Sequence, residues 1–123
     1  MKFLTLTLAI AMLALSGCTT VPSEVPADPS YAADVQPIFN GSCLSCHGGT
    51  SPSGGYSLAS RAATLGGGSD TVPNVIPGSA DSSTLYRRII GTEAPLMPPG
   101  QAPLDSVKTA TIRNWINKGA KEN

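Results

Sequence analysis

Residues 43–47 read Cys-Leu-Ser-Cys-His and hold two of the three cysteines and the single histidine of a 123-residue chain. Two thiols three positions apart, with an imidazole directly behind them, form the attachment signal of c-type haem. The spacing has a geometric reason. The thiols add across the two vinyl groups on one edge of a porphyrin, and the adjoining imidazole then stands over the iron. Covalent attachment holds such a cofactor even where the protein around it is small. Three other chemistries compete. A redox dithiol of the thioredoxin kind wants a βαβ context, of which the sequence gives no sign. A zinc site needs about four ligands, and these residues supply three. A disulfide across so short a loop contributes little stability.

An iron held by one histidine keeps a second axial position, and its occupant decides the chemistry. Met1 and Met12 lie in the N-terminal stretch, which leaves Met97 as the remaining thioether. It sits in Pro95-Leu-Met-Pro-Pro-Gly100, where prolines on both sides restrict the backbone and favour one sulfur position. The plainer reading makes Met97 a core residue, although its segment has no helical periodicity. With no second histidine, ligation by two imidazoles of one chain is excluded.

Several elements must position these groups. Tyr31, Val35, Ile38 and Phe39 fall at helical spacing and lead into Cys43, and Pro37 within the pattern predicts a late start or a kink. Gly48 to Gly55 reads as loop. A short helix is expected from an N-cap at Ser60 through Leu65, stopped by Gly66-Gly67-Gly68. That triple glycine lacks the Lys and Ser/Thr of a phosphate loop and reads as plain connection. A further helix starts near Ser82 or Ser83, with Leu85 and Ile89 inward, Tyr86 and Ile90 as further inward candidates, and Gly91 at its end. The last helix has Asp105 as N-cap, a stripe of Val107, Thr111, Ile112, Trp115 and Ile116, and Gly119 as its C-terminal cap. No strand pairs or repeats appear. The reading is an all-α domain with long loops and so few aromatic residues that its core is thin.

The chain opens with MKFLTLTLAIAMLALSGC. Lys2 precedes an apolar run from Phe3 to Leu15, shorter than the ~20 residues of a membrane-spanning helix, so the run reads as an export leader. Leu15-Ser16-Gly17-Cys18 resembles the lipobox of bacterial lipoproteins. That resemblance implies a diacylglyceryl group on the Cys18 sulfur and cleavage just before it; the alternative is an ordinary signal peptide. Several acyl chains give stable anchoring where one is marginal. Thr19 to Ser30, with prolines at 22, 26 and 29, reads as a semi-rigid tether reaching at most roughly 35 Å. Without Lys2 the chain carries seven basic residues against eight acidic ones, and it has no basic patch, so nucleic acid is not its partner.

Tyr31-Ala-Ala-Asp-Val-Gln-Pro-Ile-Phe39, Cys43-Leu-Ser-Cys-His-Gly48, Val75-Ile-Pro-Gly78, Pro95-Leu-Met-Pro-Pro-Gly100 and Ile112-Arg-Asn-Trp-Ile-Asn-Lys-Gly-Ala120 stand in a telling order. Together they resemble class I c-type cytochrome domains, the planctomycete-type and related bacterial variety above all, over residues 31–120. The resemblance implies the all-α cytochrome c fold, with about four helices around one covalently bound haem c. Cys43 and Cys46 would carry the thioethers, and His47 and Met97 would be the axial ligands. The helix entering the haem motif would cross the C-terminal helix and bring Phe39 near Trp115. The implied organisation is a leader over 1–17, a lipidated start and tether over 18–30, the domain over 31–120 and a tail over 121–123. The Gly-, Ser- and Thr-rich stretch from Gly48 to Ser57 departs from the pattern and has no assigned role.

With both axial positions filled, the expected function is electron transfer between exported redox partners, not catalysis. The partner classes are a dehydrogenase, a quinol-oxidising complex or another cytochrome. Thr19, where an Asp would retain the protein at the inner membrane, favours the outer membrane under enterobacterial sorting. The alternative is a peroxidase-like enzyme or gas sensor in which Met97 leaves the iron, although a peroxidase wants a distal acid–base residue and the one histidine is proximal. A third reading has haem as a folding staple in a docking protein. Two supporting contacts are expected: a backbone carbonyl near Ile76-Pro77 holding the His47 proton, and Arg87 or Arg88 pairing with a haem propionate. Both arginines solvated on the helix face is the alternative to the second.

Overall fold

The structure is a computed structural model in which residues 24–123 are described; the expected leader, Cys18 and the first part of the tether lie outside the described residues. The domain starts at Ser30, whose hydroxyl accepts from the Ala33 N–H. The chain then makes one π-helical turn, Tyr31–Val35, before helix α1, Gln36–Ser42. Pro37 accounts for the change. A proline lacks the N–H that a continuous α-helix would require, so it is tolerated at a helix start and not inside. The wider π turn delivers the chain so that Pro37 falls in the first turn of α1, and the expected kink is there.

Cys43 interrupts the helix (φ −127°, ψ −35°), and α2, Leu44–His47, follows. Helix α3, Arg61–Leu65, is capped by Ser60, whose hydroxyl accepts from Ala63 N. Helix α4, Thr84–Ile89, starts after Ser83 as expected. Helix α5, Ser106–Asn117, is capped by Asp105, which accepts from Lys108 N. That N–H, followed by the Lys108 ammonium, lowers the Asp105 carboxyl below its ordinary range. Among the described residues there is no strand, apart from an isolated bridge between Gly67 and Pro73. The all-α expectation holds, with five α-helices among the described residues where about four were expected. Among the described residues no helix is long and apolar enough to cross a membrane.

One cluster forms the core. Tyr31, Val35 and Phe39 come from the first helical run, Leu85 and Ile89 from α4, and Ile112, Trp115 and Ile116 from α5; Leu58 and Val75 arrive on loops. The Tyr31 ring joins the two ends of the chain, with its centroid 5.4 Å from Trp115 and 6.5 Å from Phe39. Trp115 satisfies its indole N–H on the Lys121 carbonyl at 3.0 Å, as a buried tryptophan must. Ile90 is the inward candidate that does not turn in: it caps α4 and stays exposed. On the outer side of α5, Asn114 donates to the Pro26 carbonyl at 2.9 Å and Pro29 is fully buried, so the chain from Pro26 onward lies against the domain.

Candidate functional site

The Cys-Leu-Ser-Cys-His segment begins where α1 breaks. Cys43 N still bonds the Phe39 carbonyl at 2.9 Å, and its own carbonyl then accepts from Cys46 N and His47 N, winding α2. Cys43 is half-buried and Cys46 exposed, both as free thiols. The chain reverses after His47. At Gly48 a Cβ would lie 2.6 Å from the Leu44 carbonyl oxygen, so only glycine allows the reversal. Leu58 N bonds the His47 carbonyl at 2.8 Å and closes the loop.

That closure sets the tautomer of the histidine. It places the Tyr56 carbonyl 2.9 Å from His47 Nδ1. A carbonyl can only accept, so Nδ1 carries the proton and Nε2 keeps a free lone pair. The Tyr56 ring stands edge-on to the imidazole at 5.8 Å, and its hydroxyl donates to the Thr64 carbonyl at 2.7 Å. Burial pushes the Tyr56 phenol well above its ordinary range and the Cys43 thiol up to about 11. A raised thiol is the opposite of what a redox dithiol needs.

The carbonyl near Ile76-Pro77, expected to hold the His47 proton, does not do so. The Ile76 carbonyl accepts from Ser79 N, and the segment is drawn to the end of α5, where Gly78 N bonds the Ile116 carbonyl and Ala80 N bonds Asn117 Oδ1. Residues 48–58 lie closer to His47 because they are tied to it at both ends of their loop.

Met97 is hung from the C-terminal end of α4. A helix leaves its last carbonyls without intrahelical partners. Here the Arg87 carbonyl accepts from Thr92 N and Glu93 N, and the Arg88 carbonyl accepts from Met97 N at 3.1 Å. Gly91, at φ +79°, makes the reversal that allows this.

Cys43, Cys46, His47 and Met97 all line one open cavity of about 560 Å³, inside the roughly 300–1,000 Å³ of cofactor pockets. Its floor is the exposed side of the core: Phe39, Leu58, Leu85, Ile89 and Ile112. Arg88 is the cation on its wall. The Arg88 Nε is buried with no hydrogen-bond partner, and Glu93 Oε1, 3.6 Å away, is too far for one. Arg87 is not on the wall. Its guanidinium is engaged by Glu93 Oε2 at 2.7 Å and 2.8 Å, the Asp81 carbonyl and Thr84 Oγ1. Among the described residues no three His, Cys, Asp or Glu side chains converge to hold a metal ion by themselves, so the zinc reading lacks its ligand set.

Two thiols, an imidazole with a free Nε2, a thioether, a cation with an unpartnered buried donor and an apolar floor meet at one cavity in an all-α domain. This donor set fits haem. Residues 43–101 match the family model described as Planctomycete cytochrome C, from the first thiol to just beyond Met97. The match supports a cytochrome c-type domain. Nothing among the curated proteins or the solved structures matches it.

Two contributors escape a reading of the sequence. Tyr56 acts through its backbone carbonyl, which every residue possesses, so no side-chain signal marks it. Glu93 is visible as a charge, but its grip on Arg87 depends on the fold of the loop after Gly91. Replacing Tyr56 with Phe leaves the fully buried Thr64 without the phenol as a donor for its carbonyl. Tyr56→Phe should cost about 1–3 kcal/mol of stability, read as a lower urea midpoint for the haem-loaded protein.

Proposed function

We propose that this protein is a membrane-tethered electron carrier holding one haem c, with His47 and Met97 as the two axial ligands. A cytochrome c-type domain points to haem-based electron transfer in general and to a carrier in place of an enzyme. The observation that carries the finer reading is the meeting of Cys43, Cys46, His47 and Met97 at a single cavity. Bound there, haem supplies a one-electron couple between ferric and ferrous iron, at a potential that a thioether ligand raises.

The chain's own residues do the rest. The sulfurs of Cys43 and Cys46 hold the cofactor covalently. His47 offers Nε2 because Nδ1 is committed to the Tyr56 carbonyl. Met97 is positioned by its N–H on the Arg88 carbonyl. The floor of Phe39, Leu85, Ile89 and Ile112 keeps water from one side of the cavity and lowers the local dielectric, which favours the less charged state of the site. Arg88, with its unpartnered Nε, is the counter-charge for a haem carboxylate; Arg87 is held away from that task by Glu93.

The leader and the lipobox-like Cys18 place the protein, on this reading, outside the cytoplasm and anchored to a bacterial membrane, the outer one favoured by Thr19. The chain lies against the domain from Pro26 onward. The tether raises the encounter rate with membrane-bound redox proteins. The near-zero net charge suits short-lived docking with weak long-range steering.

Replacing the thioether tests the ligand set. Met97→Leu should abolish the sulfur–iron charge-transfer band of the oxidised protein, produce high-spin iron and allow rapid CO binding. A wild type that is already high-spin and binds CO rapidly would overturn the carrier reading in favour of a gas sensor or peroxidase-like enzyme. Arg88→Ala should shift the midpoint potential while Arg87→Ala shifts it less; equal potentials in wild type and both variants would remove the propionate role. Cys18→Ala should release the protein from the membrane fraction into the soluble one, and an unchanged membrane fraction would remove the anchor.

A further inference from the structure

Two glycine-rich stretches remain without a role: Gly48 to Ser57 and Gly66-Gly67-Gly68. They meet. Ser69 donates twice to the Gly54 carbonyl, from N at 2.8 Å and from Oγ at 3.1 Å. The approach is closer than side chains permit. A Cβ on Gly68 would stand 2.5 Å from the Gly54 carbonyl oxygen, and one on Gly55 would stand 2.6 Å from Ser69 Oγ. Gly54 and Gly55 both occupy the left-handed region, at φ +64° and +69°, where glycine is at little cost. The triple glycine is therefore a packing surface, not plain connection.

The pinned turn leads directly to the histidine. Ser53–Gly55 form a single 3₁₀ turn closed by Tyr56 N on the Ser53 carbonyl at 3.2 Å. The carbonyl of Tyr56, the residue whose N–H closes the turn, accepts from His47 Nδ1. The opposing stretch is rigid in its own right. Thr71 N bonds the Gly68 carbonyl, Asn74 N bonds the Gly66 carbonyl, and a Cβ on Gly67 would fall 2.5 Å from the Val72 carbonyl oxygen. It is fastened in turn to α4 by Leu85 N on the Asn74 carbonyl at 3.0 Å.

We propose that the contact of Gly54 and Gly55 with Gly68 and Ser69 is a positioning clamp that sets the strength of the His47 Nδ1–Tyr56 hydrogen bond and, through it, the reduction potential of the site. This rests on His47 being an iron ligand. Donation from Nδ1 makes Nε2 more electron-rich and so stabilises ferric iron; loosening that bond raises the potential. The clamp acts through Tyr56 and His47; because Gly54, Gly68 and Ser69 also line the cavity, a shifted potential with wild-type Nδ1 exchange would mark a direct effect on the cofactor and overturn it.

The test uses three variants of the haem-loaded protein: Gly68→Ala, Ser69→Ala and Gly41→Ala. The last is a control, because a Cβ at Gly41 meets nothing within 4 Å. Two readouts are taken: the midpoint potential and the solvent exchange of the His47 Nδ1 proton by NMR in the reduced state. Gly68→Ala should raise the potential and speed the exchange. Ser69→Ala, which keeps the backbone donor and loses the hydroxyl, should do both to a smaller degree. Gly41→Ala should do neither. If Gly68→Ala fails to fold, Ser69→Ala decides alone. Wild-type potential and exchange in Ser69→Ala and in any folded Gly68→Ala would overturn the clamp, as would an equal shift in Gly41→Ala. A wild type without covalent haem would instead overturn the underlying function, so the two failures are distinguishable.

Discussion

A 2.9 Å contact between His47 Nδ1 and the Tyr56 carbonyl settles which nitrogen of the imidazole carries the proton. The acceptor has no proton to give, so the ring nitrogen beside it must donate and the other must present a lone pair. The surrounding features follow from keeping that contact in place. Gly48 permits the reversal, Leu58 closes it, and the Tyr56 hydroxyl on Thr64 fastens the far end to α3. The loop that looks least structured in the sequence is the one that orients the imidazole.

The second constraint is the core. Phe39 and Ile112 are at most 1% exposed and yet form the floor of the cavity. The packed interior and the cofactor site therefore share a wall, and a change in one is felt by the other because close-packed side chains transmit displacement. A domain this small buries too little surface of its own to be indifferent to the group that covers that wall. Tyr31, in the same cluster, joins the entry turn to Trp115.

Much of this was legible from residue type and spacing. Ser60 and Asp105 mark helix starts because the first N–H groups of a helix need acceptors, and both side chains accept one. Ser83 precedes α4 without such a bond, its hydroxyl being engaged by Ile76 N and the Ser79 carbonyl. Pro37 gave the kink, though not the π turn that makes it. The cavity-lining places of Cys43, Cys46, His47 and Met97 follow from chemistry that admits few substitutes. The His47 acceptor was misplaced at Ile76-Pro77, because a carbonyl carries no signature of residue type and its location depends on tertiary closure. The difference between Arg87 and Arg88 was equally beyond a one-dimensional reading: adjacent residues on a helix point about 100° apart, and Glu93 lies near both, yet it hydrogen-bonds Arg87 and stands 3.6 Å from Arg88 Nε.

The claim that everything else needs is that haem is joined covalently to Cys43 and Cys46. Intact-mass measurement of the protein exported by a haem-loading host, with alkylation of free thiols, addresses it most directly. The account predicts a chain heavier by one haem, a red peptide containing residues 43–47, and no alkylation at either cysteine. A colourless chain that takes an alkyl group at both positions would contradict it.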